Sequence, residues 1–493
     1  MNASKILYNS ALWYNMAANL NGKPDGYGTS FGENSLQSYM GRINYTLMDR
    51  YLLTASGRWD GSSVLAAGHK WDFFPSFALA WKMQEEYFIK NLAWINELKL
   101  RIGYGVTGNS AVDSYTTMGP LTQYNYVFNT APAIGYIPMT MANPSLGWEK
   151  TSQINLGLDF SFLKNRISGS VEFYQSNTSD ILMSRSIPVV TGYPNIMFNI
   201  GKMKNTGFEI SLSTINVKLN DFQWVTNLTY TQNKEEIVEL VNGKEDMKAQ
   251  NYFIGHPLQV FRTYKVDGLW QNTDEDLAEI ALWTANGYAF APGQYKPVEQ
   301  GTPDHKLTDD DMVIRGTVRP KWIGGLTNSF TYKNFELSSF IYARIGQSYF
   351  SSLQPGGSAG GKFIGYVRSV DPNDFWSTDN TGARWPQPTS KTGVTAVNQA
   401  MYINDGSFVT VRNISLTYSL PQKFIGMFYA KNIQVYGQIL NPFVFGGDVV
   451  KAGINPDDTN GWTNVNSVGD PTGGTNNNTM IIRSWVFGIR IGF

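Results

Sequence analysis

The chain has 493 residues, and its 39 basic and 39 acidic side chains leave it without net charge, which gives no indication of binding to nucleic acid or another polyanion. Charged residues make up only 16% of the sequence, against roughly 25% in soluble domains. Cysteine is absent, which excludes disulfide frameworks, thiolate metal sites and cysteine nucleophiles. No apolar run approaches the roughly 18 residues of a membrane helix, so any crossing of a membrane is expected to use strands.

The first part of the chain, residues 1–34, is rich in Asn, Gly and Tyr and is predicted to be a long loop that the sequence enters midway. It has none of the basic, apolar and small-residue regions of a signal peptide. Strand periodicity begins at Tyr39, where apolar and polar side chains alternate as far as Leu47. After a turn at residues 48–50 the alternation resumes at Tyr51, which predicts a tight hairpin.

The same alternation continues through about fourteen segments in all, each close to the roughly 9–11 residues that a tilted strand needs to cross a membrane. These candidate strands lie near residues 39–47, 51–59, 77–83, 99–106, 154–162, 167–173, 208–212, 222–230, 258–271, 320–333, 334–346, 408–420, 432–441 and 480–493. In each, one parity is apolar and the other is dominated by Ser, Thr, Gly, Asn and Gln. The pattern favours a barrel with an apolar exterior and a polar, aqueous lumen.

The connections between these segments alternate in length. Short turns fall near 48–50, 164–166, 218–221, 332–334 and 421–431, and long connections near 60–75, 107–150, 178–203, 271–318, 347–406 and 442–479. This alternation is typical of an outer-membrane barrel with a trimmed periplasmic rim and an elaborated extracellular rim. Soluble sandwiches do not require it, and repeat proteins of fixed period fit the variable spacings poorly.

The last segment of the chain repeats the two-face pattern most clearly. Its apolar parity runs to the final residue and is expected to face lipid: Trp485, Phe487, Ile489, Ile491 and Phe493.

Few residues suggest chemistry. The histidines His69, His256 and His305 are widely separated, so no catalytic residues are predicted. Acidic residues including Asp304 and Asp309 are interpreted as a solvated loop in preference to a calcium site, and no metal site is predicted. In the long loops, Trp376, Trp385 and Trp462 are candidate substrate-binding residues that could stack on sugar rings, although tryptophans also pack loops together.

Several stretches in their order along the chain resemble the SusC/RagA family of TonB-linked outer-membrane transporters. They are FPSFALAWKM at 74–83, ELKLRIGYGVTGN at 97–109, NPSLGWEKTSQINLGLDFSFLKNRISGSVEFY at 143–174, MKNTGFEISL at 203–212, DGSFVTVRNISLTYSLP at 405–421 and FGIRIGF at 487–493. The family's D-x-N-G-D-G-type run is replaced here by EQGTPDHKLTDDD at 299–311, which retains Asp304 and Asp309 but has neither the glycines nor the first ligands at the positions of that motif.

The resemblance implies an all-β fold: the C-terminal part of a transmembrane antiparallel β-barrel of about 22 strands. Residues 1–34 would be an extracellular loop and residues 35–493 barrel, while the signal peptide, the carboxypeptidase-like extension and the plug have no counterpart in the sequence. It also implies insertion in outer-membrane lipid of a Gram-negative, Bacteroidetes-type cell, by the barrel-assembly machinery, which would read the terminal residues Trp485 to Phe493. No cofactor is implied.

The function implied by the resemblance is import of oligosaccharides or peptides together with a SusD-like surface lipoprotein. Energy would come from the TonB complex through the missing N-terminal part. A passive pore is the alternative if these 493 residues are the whole product. A barrel enzyme such as a lipase or protease, and a β-rich adhesin, are further alternatives from other functional classes.

Overall fold

The fold is built on one antiparallel sheet of 13 strands that are hydrogen-bonded in chain order. The structure is a computed structural model. It describes residues 32–128, 131–350, 375–387, 403–425, 430–451, 453–457 and 480–493, with residues 397 and 400. The strands are β1 (Leu36–Leu47), β2 (Tyr51–Ser62), β3 (Trp71–Lys82), β4 (Ile95–Asn109), β5 (Glu149–Phe162), β6 (Ile167–Ser179), β7 (Lys202–Lys218), β8 (Phe222–Glu239), β9 (Trp322–Tyr332), β10 (Phe335–Ile345), β11 (Phe408–Ser419), β12 (Asn432–Gly446) and β13 (Ser484–Gly492).

Short and long connections alternate along this sheet, as predicted. Tight turns join β1 to β2 and β9 to β10, and Met48 and Asp49 in the first turn adopt positive φ angles of 52° and 55°, as the favoured hairpin turns require. The helices Tyr87–Lys90 and Gln422–Ile425 lie in two other connections at this rim. Among the described residues no helix has the length and apolar character to span a membrane.

The long connections contain secondary structure of their own. Their strands are Leu121–Phe128, Ala131–Pro138, Thr140–Met141, Leu182–Ser186, Asn195–Asn199, Val260–Leu269, Tyr295–Val298, Met312–Thr317, Ser348–Phe350 and Ile403–Asp405. Their helices are Asp274–Ala285 and Asp448–Lys451, and they contain short 3₁₀ turns at Thr116–Met118, Val189–Thr191, Lys248–Gln250 and Asp309–Asp311; a further 3₁₀ turn, Met83–Glu85, lies at the short-turn rim between β3 and β4.

One predicted barrel strand is wrong. The segment near 258–271 forms Val260–Leu269, which pairs with Tyr295–Val298 and Met312–Thr317 in a separate sheet between β8 and β9. The adjacent residues Val260 and Phe261 are both buried, so this strand has no lipid face. The predicted long connection at 60–75 is also shorter, because β2 extends to Ser62 and β3 begins at Trp71. Residues 1–31 of the predicted N-terminal loop lie outside the described residues.

The register of the sheet produces two unlike faces. Ile43, Ala55, Phe77, Tyr104 and Ile154 lie opposite one another across five neighbouring strands, and the large members of this row are exposed. Contiguous exposed apolar surface of this kind is suited to lipid. The intervening residues form the opposite, polar face.

An aromatic cluster marks the short-turn rim of the apolar face. Tyr51 and Trp81 stack with their ring centroids 6.4 Å apart, and both donate hydrogen bonds to Glu86, at 2.7 and 3.0 Å. These bonds from Tyr51 and Trp81, together with Arg50 at 3.1 Å, hold the pKa of the Glu86 carboxyl below its ordinary value. An aromatic belt beside a charged rim is the arrangement expected at a membrane interface.

Candidate functional site

The polar face of the sheet carries a charged cluster that connects three strands. Arg101 on β4 donates two hydrogen bonds to Asp159 on β5, at 2.8 and 2.7 Å, and one to Glu172 on β6, at 2.6 Å. Lys99 lies 2.8 Å from the Asp159 carboxylate. Gly157 makes room for this arrangement, because a Cβ atom there would lie 2.9 Å from the Arg101 guanidinium. The wall of the lumen is therefore tied together by ion pairs where a soluble barrel would pack apolar side chains.

A carboxylate beside this cluster faces the same polar space. Glu209 on β7 lies directly opposite Glu172 in the register of β6 and β7. Glu172 is neutralised by Arg101, whereas Glu209 forms no ion pair among the described residues. Like charges directly opposite one another destabilise a sheet, so Arg101 offsets a repulsion that the register creates.

A cleft of about 730 Å³ opens on the polar face between β1 and β4, towards the long-loop end. Arg58 and Asp60 line it and are joined by hydrogen bonds of 2.6 and 2.8 Å. Phe74 and Trp148, which are 7% and 6% exposed, form its apolar floor in an edge-to-face pair with ring centroids 5.3 Å apart. A charged pair beside aromatic rings can bind ligands that carry both polar groups and apolar faces, as sugars and peptides do.

The sequence contained a signal for this cleft. Phe74 lies on the polar parity of β3, where small and polar side chains dominate. Gly108 on β4 makes room for the tip of this ring, because a Cβ atom at Gly108 would be only 2.2 Å from it. The prediction of a loop at residues 60–75 gives Phe74 no parity, and it therefore does not indicate this cleft.

The largest apolar core lies outside the sheet, in the loop domain, which we define as residues 260–317 with the segment 375–387. Its buried residues include Tyr264, Leu269, Trp270, Ile280, Trp283, Phe290, Tyr295 and Trp376. The helix Asp274–Ala285 begins at Thr273, whose hydroxyl accepts a hydrogen bond from the backbone N–H of Asp276, and three acidic residues occupy its first turn, where the helix dipole favours them.

Asp276 links this helix to the neighbouring strand. Its carboxylate accepts hydrogen bonds from Lys296 at 2.8 Å and from the backbone N–H of Gln271 at 2.6 Å. Burial of Asp276 favours a higher pKa, but the hydrogen bonds from Lys296 and Gln271 outweigh it and lower the pKa of this carboxyl. The loop domain is thus held by buried rings and by an ionised carboxylate at its edge.

Two of the predicted substrate-binding tryptophans lie in this packed loop region. Trp376 is 4% exposed and donates a hydrogen bond of 2.9 Å to the side chain of Gln271. Trp385 is 6% exposed, and the Arg384 guanidinium lies 4.8 Å from its ring centroid. Contact of either ring with a ligand requires this region to open, and it stays a prediction. Trp462 lies outside the described residues.

The acidic residues near Asp304 interact mainly with protein groups. Asp311 accepts hydrogen bonds from the backbone and hydroxyl of Thr308, at 2.9 and 2.8 Å, and from the backbone of Gln300 at 3.1 Å. Asp309 is paired with Arg262, and Asp304 accepts a hydrogen bond from the backbone of Lys306. In the described parts of the chain, no group of three or more His, Asp or Glu residues is arranged to hold a metal ion. The interpretation of this segment as an acidic loop in preference to a calcium site stays a prediction.

The terminal strand presents its apolar parity outwards. Trp485, Phe487, Ile489, Ile491 and Phe493 are all exposed, on the same side as the lipid-facing row. Recognition of these residues by an assembly machinery stays a prediction.

The family model described as TonB-dependent receptor-like β-barrel matches residues 4–442. The chain belongs to this family. It is 31% identical over 411 residues to the TonB-dependent receptor P26 of Formosa agariphila, which covers 81% of the chain and 41% of that relative. It is 31% identical over 429 residues to the TonB-dependent receptor SusC of Bacteroides thetaiotaomicron, covering 83% of the chain and 40% of SusC.

Solved structures agree on the fold of this TonB-dependent receptor-like barrel. It superimposes on the RagAB peptide transporter with a TM-score of 0.73 at 23% identity, over 96% of the chain and 50% of the solved chain. The resemblance to the SusC/RagA family is therefore confirmed, as is the outer-membrane barrel fold. The family comprises receptors and transporters of the outer membrane, so the short turns lie at the periplasmic rim and the long loops outside the cell. The chain spans about 41% of the P26 receptor's length.

Proposed function

We propose that this chain forms the wall of a TonB-dependent importer that takes up oligosaccharides or peptides with a SusD-like surface lipoprotein, in the outer membrane of a Bacteroidetes-type cell. The observation that carries the proposal is the polar face of the 13-stranded sheet, which combines the Arg101 cluster with the cleft at Phe74 and Trp148. SusC and the RagAB transporter, which the chain resembles, support the class of protein.

The proposed importer would use the TonB complex through a plug supplied by another part of the protein. Barrel-assembly machinery would insert it in the outer membrane, and no cofactor is needed for this activity. Ligand would enter from the extracellular side and meet the cleft, which is lined by the Arg58–Asp60 pair and, beneath it, by the buried rings of Phe74 and Trp148. Trp376, Trp385 and Trp462 would add contacts after the loops open.

Uptake by cells tests this proposal. A strain lacking the gene should fail to grow on one class of ligand, glycan or peptide, that the parent strain uses as its sole carbon source. Growth should return with the full-length gene and should disappear again when the proton-motive force is dissipated. Equal growth of the deletion strain and the parent on every glycan and peptide offered would contradict the proposal.

The cleft is tested in the same strain. Phe74→Ala should raise the ligand concentration needed for half-maximal uptake, because it removes a buried ring that supports the shape of the cleft. Phe77→Ala is the matched control, since Phe77 lies on the lipid face of the same strand. Loss of uptake with both variants at equal protein levels would indicate a general effect on the barrel and remove the cleft from the ligand path.

Electrical measurements separate the importer from a passive pore. Full-length protein in a planar bilayer should conduct almost no current, because a plug fills the lumen. A steady current as large as that of an open pore, recorded with the protein as extracted from cells, would favour the passive pore.

A further inference from the structure

Each short turn of the periplasmic rim carries an exposed apolar side chain close to a basic one. In the part of the chain that the structure describes, the apolar residues are Met48, Phe88, Leu163, Leu219, Tyr332 and Phe424. Each has a basic residue within two positions: Arg50, Lys90, Lys164, Lys218, Lys333 and Lys423. The turns differ in length and conformation, so the local backbone does not impose this pairing.

Carboxylates neutralise two of these cations. Arg50 lies 3.1 Å from Glu86, and Lys90 lies 3.6 Å from Glu85.

The four remaining lysines are exposed. Lys164 and Lys218 form no ion pair among the described residues, and Lys333 reaches Asp221 only at 4.0 Å, with both side chains more than half exposed. The ammonium groups of Lys333 and Lys423 lie 5.5 and 4.8 Å from the ring centroids of Tyr332 and Phe424.

This pairing matches the chemistry of a membrane interface. An apolar side chain that is largely exposed, such as Leu219 at 67%, is unfavourable in water but favourable at the boundary between headgroups and acyl chains. A neighbouring lysine can extend along that apolar surface and place its ammonium among the phosphates. Each turn with an exposed lysine therefore combines a positive charge with an apolar side chain that can insert into the membrane.

The long-loop side provides an internal comparison. The hairpin of Leu121–Phe128 and Ala131–Pro138 exposes Tyr124, Tyr126 and Tyr136, yet the sequence has no Lys or Arg between Arg101 and Lys150. The exposed aromatic side chains of this hairpin are thus not accompanied by cations.

We propose that the periplasmic rim binds anionic phospholipids of the inner leaflet, with Lys164, Lys218, Lys333 and Lys423 contacting the lipid phosphates. The adjacent residues Leu163, Leu219, Tyr332 and Phe424 insert into the acyl region of the same leaflet. This interaction fixes the height of the barrel in the membrane. It holds for whichever ligand the lumen carries, so its test does not depend on the proposed function.

The experiment uses full-length protein in nanodiscs of equal parts phosphatidylcholine and phosphatidylglycerol. After release into mild detergent, the lipids that remain bound are identified by native mass spectrometry. Wild-type protein should retain phosphatidylglycerol in preference to phosphatidylcholine. The combined variant Lys164→Gln, Lys218→Gln, Lys333→Gln and Lys423→Gln should lose this preference, by about fivefold for each phosphate contact removed. Added salt should reduce the wild-type preference, because the contacts are electrostatic and exposed.

A matched variant removes the same charge from the extracellular side: Lys244→Gln, Lys265→Gln, Lys306→Gln and Lys451→Gln, all exposed. It should keep the preference for phosphatidylglycerol, as should a rim variant in which the lysines are changed to arginine. Gel migration of unheated samples verifies that each barrel is folded. An unchanged preference in the rim Gln variant, or an equal loss in the extracellular variant, would overturn the proposal.

Discussion

The barrel wall and the loop domain use the same kinds of side chain in opposite ways. In the wall, apolar residues such as Ile154 point outwards and the ion pairs of Arg101 lie inside. In the loop domain, Trp270 and Trp283 are almost fully buried and Lys296 and Asp276 pair at the edge. The difference follows from the medium around each part, because exposed apolar surface is favourable in lipid and unfavourable in water. A large apolar side chain therefore stabilises the wall when it faces outwards, whereas in the loop domain it stabilises the fold when it is buried.

The largest effect is expected from a cavity in the loop domain. Trp283→Ala removes a ring that is 2% exposed and packs edge-on against Tyr288 and Phe290. We expect a loss of about 3–5 kcal/mol in the local stability of this domain, seen as faster hydrogen exchange over residues 260–317. Trp485→Ala on the lipid face is the control and should leave exchange in that region unchanged. Equal exchange in the Trp283 variant and wild type would show that this core does not hold the loops.

A charge on the lipid face should have the next largest effect. Leu156 on β5 lies between Ile102 and Phe173 in the outward row, so Leu156→Lys is expected to cost about 2–4 kcal/mol near the middle of the bilayer. The adjacent change Asn155→Lys points into the lumen, next to Glu172, and should be tolerated. Denaturant unfolding of the full-length protein in lipid measures both. Similar losses from the two variants would contradict the assignment of faces.

The wall could be predicted from the sequence because its rules are local. A period of two fixes the faces of β5 and β6, and a turn of a few residues fixes their antiparallel pairing. The terminal strand was predicted on the same grounds, and β13 spans Ser484–Gly492. The resemblance to the SusC/RagA family depended on these same stretches, which explains why it indicated the barrel correctly.

The loop domain could not be predicted in this way, because contacts between distant residues determine it. Trp376 donates its indole hydrogen bond to Gln271, which lies in a different long connection. Strand Val260–Leu269 has the alternation of a barrel strand at some positions, but its place is set by its pairing with Met312–Thr317. The charged cluster of the lumen is an intermediate case. Its residues lie on the polar parity of their strands, which the alternation alone defines, while the bond from Arg101 across to Glu172 depends on the register of three strands and on the space at Gly157.

Removal of the lumen cation should have a smaller effect than a charge in lipid, because the cluster is partly hydrated. Arg101→Met removes the guanidinium that bridges Asp159 and Glu172, so Glu172 and Glu209 lie opposite each other with no cation to neutralise Glu172. We expect a loss of about 1–2 kcal/mol in the stability of the barrel, and less at high salt, where the remaining carboxylates repel one another weakly. Lys99→Met is the control, since Arg101 still binds both Asp159 and Glu172 in that variant. A larger loss from Lys99→Met than from Arg101→Met would refute the bridging role.

The smallest effect concerns the pH response of the loop domain. Burial of Asp311 favours a higher pKa, but hydrogen bonds from Thr308, Gln300 and Gly301 outweigh it, so the pKa of the Asp311 carboxyl is below its ordinary value. A carboxyl whose pKa is lower in the folded than in the unfolded protein stabilises the folded state at pH values above its unfolded pKa of about 3.9. That contribution is lost as the pH falls through the lower pKa of the folded protein. Asp311→Asn should therefore reduce the stability of the turn by about 1 kcal/mol at neutral pH. Hydrogen exchange near residues 300–311, measured at neutral pH and after a brief acid pulse, should converge for variant and wild type in acid. A difference between them that stayed constant with pH would mean that the ionised carboxylate is not what holds the turn.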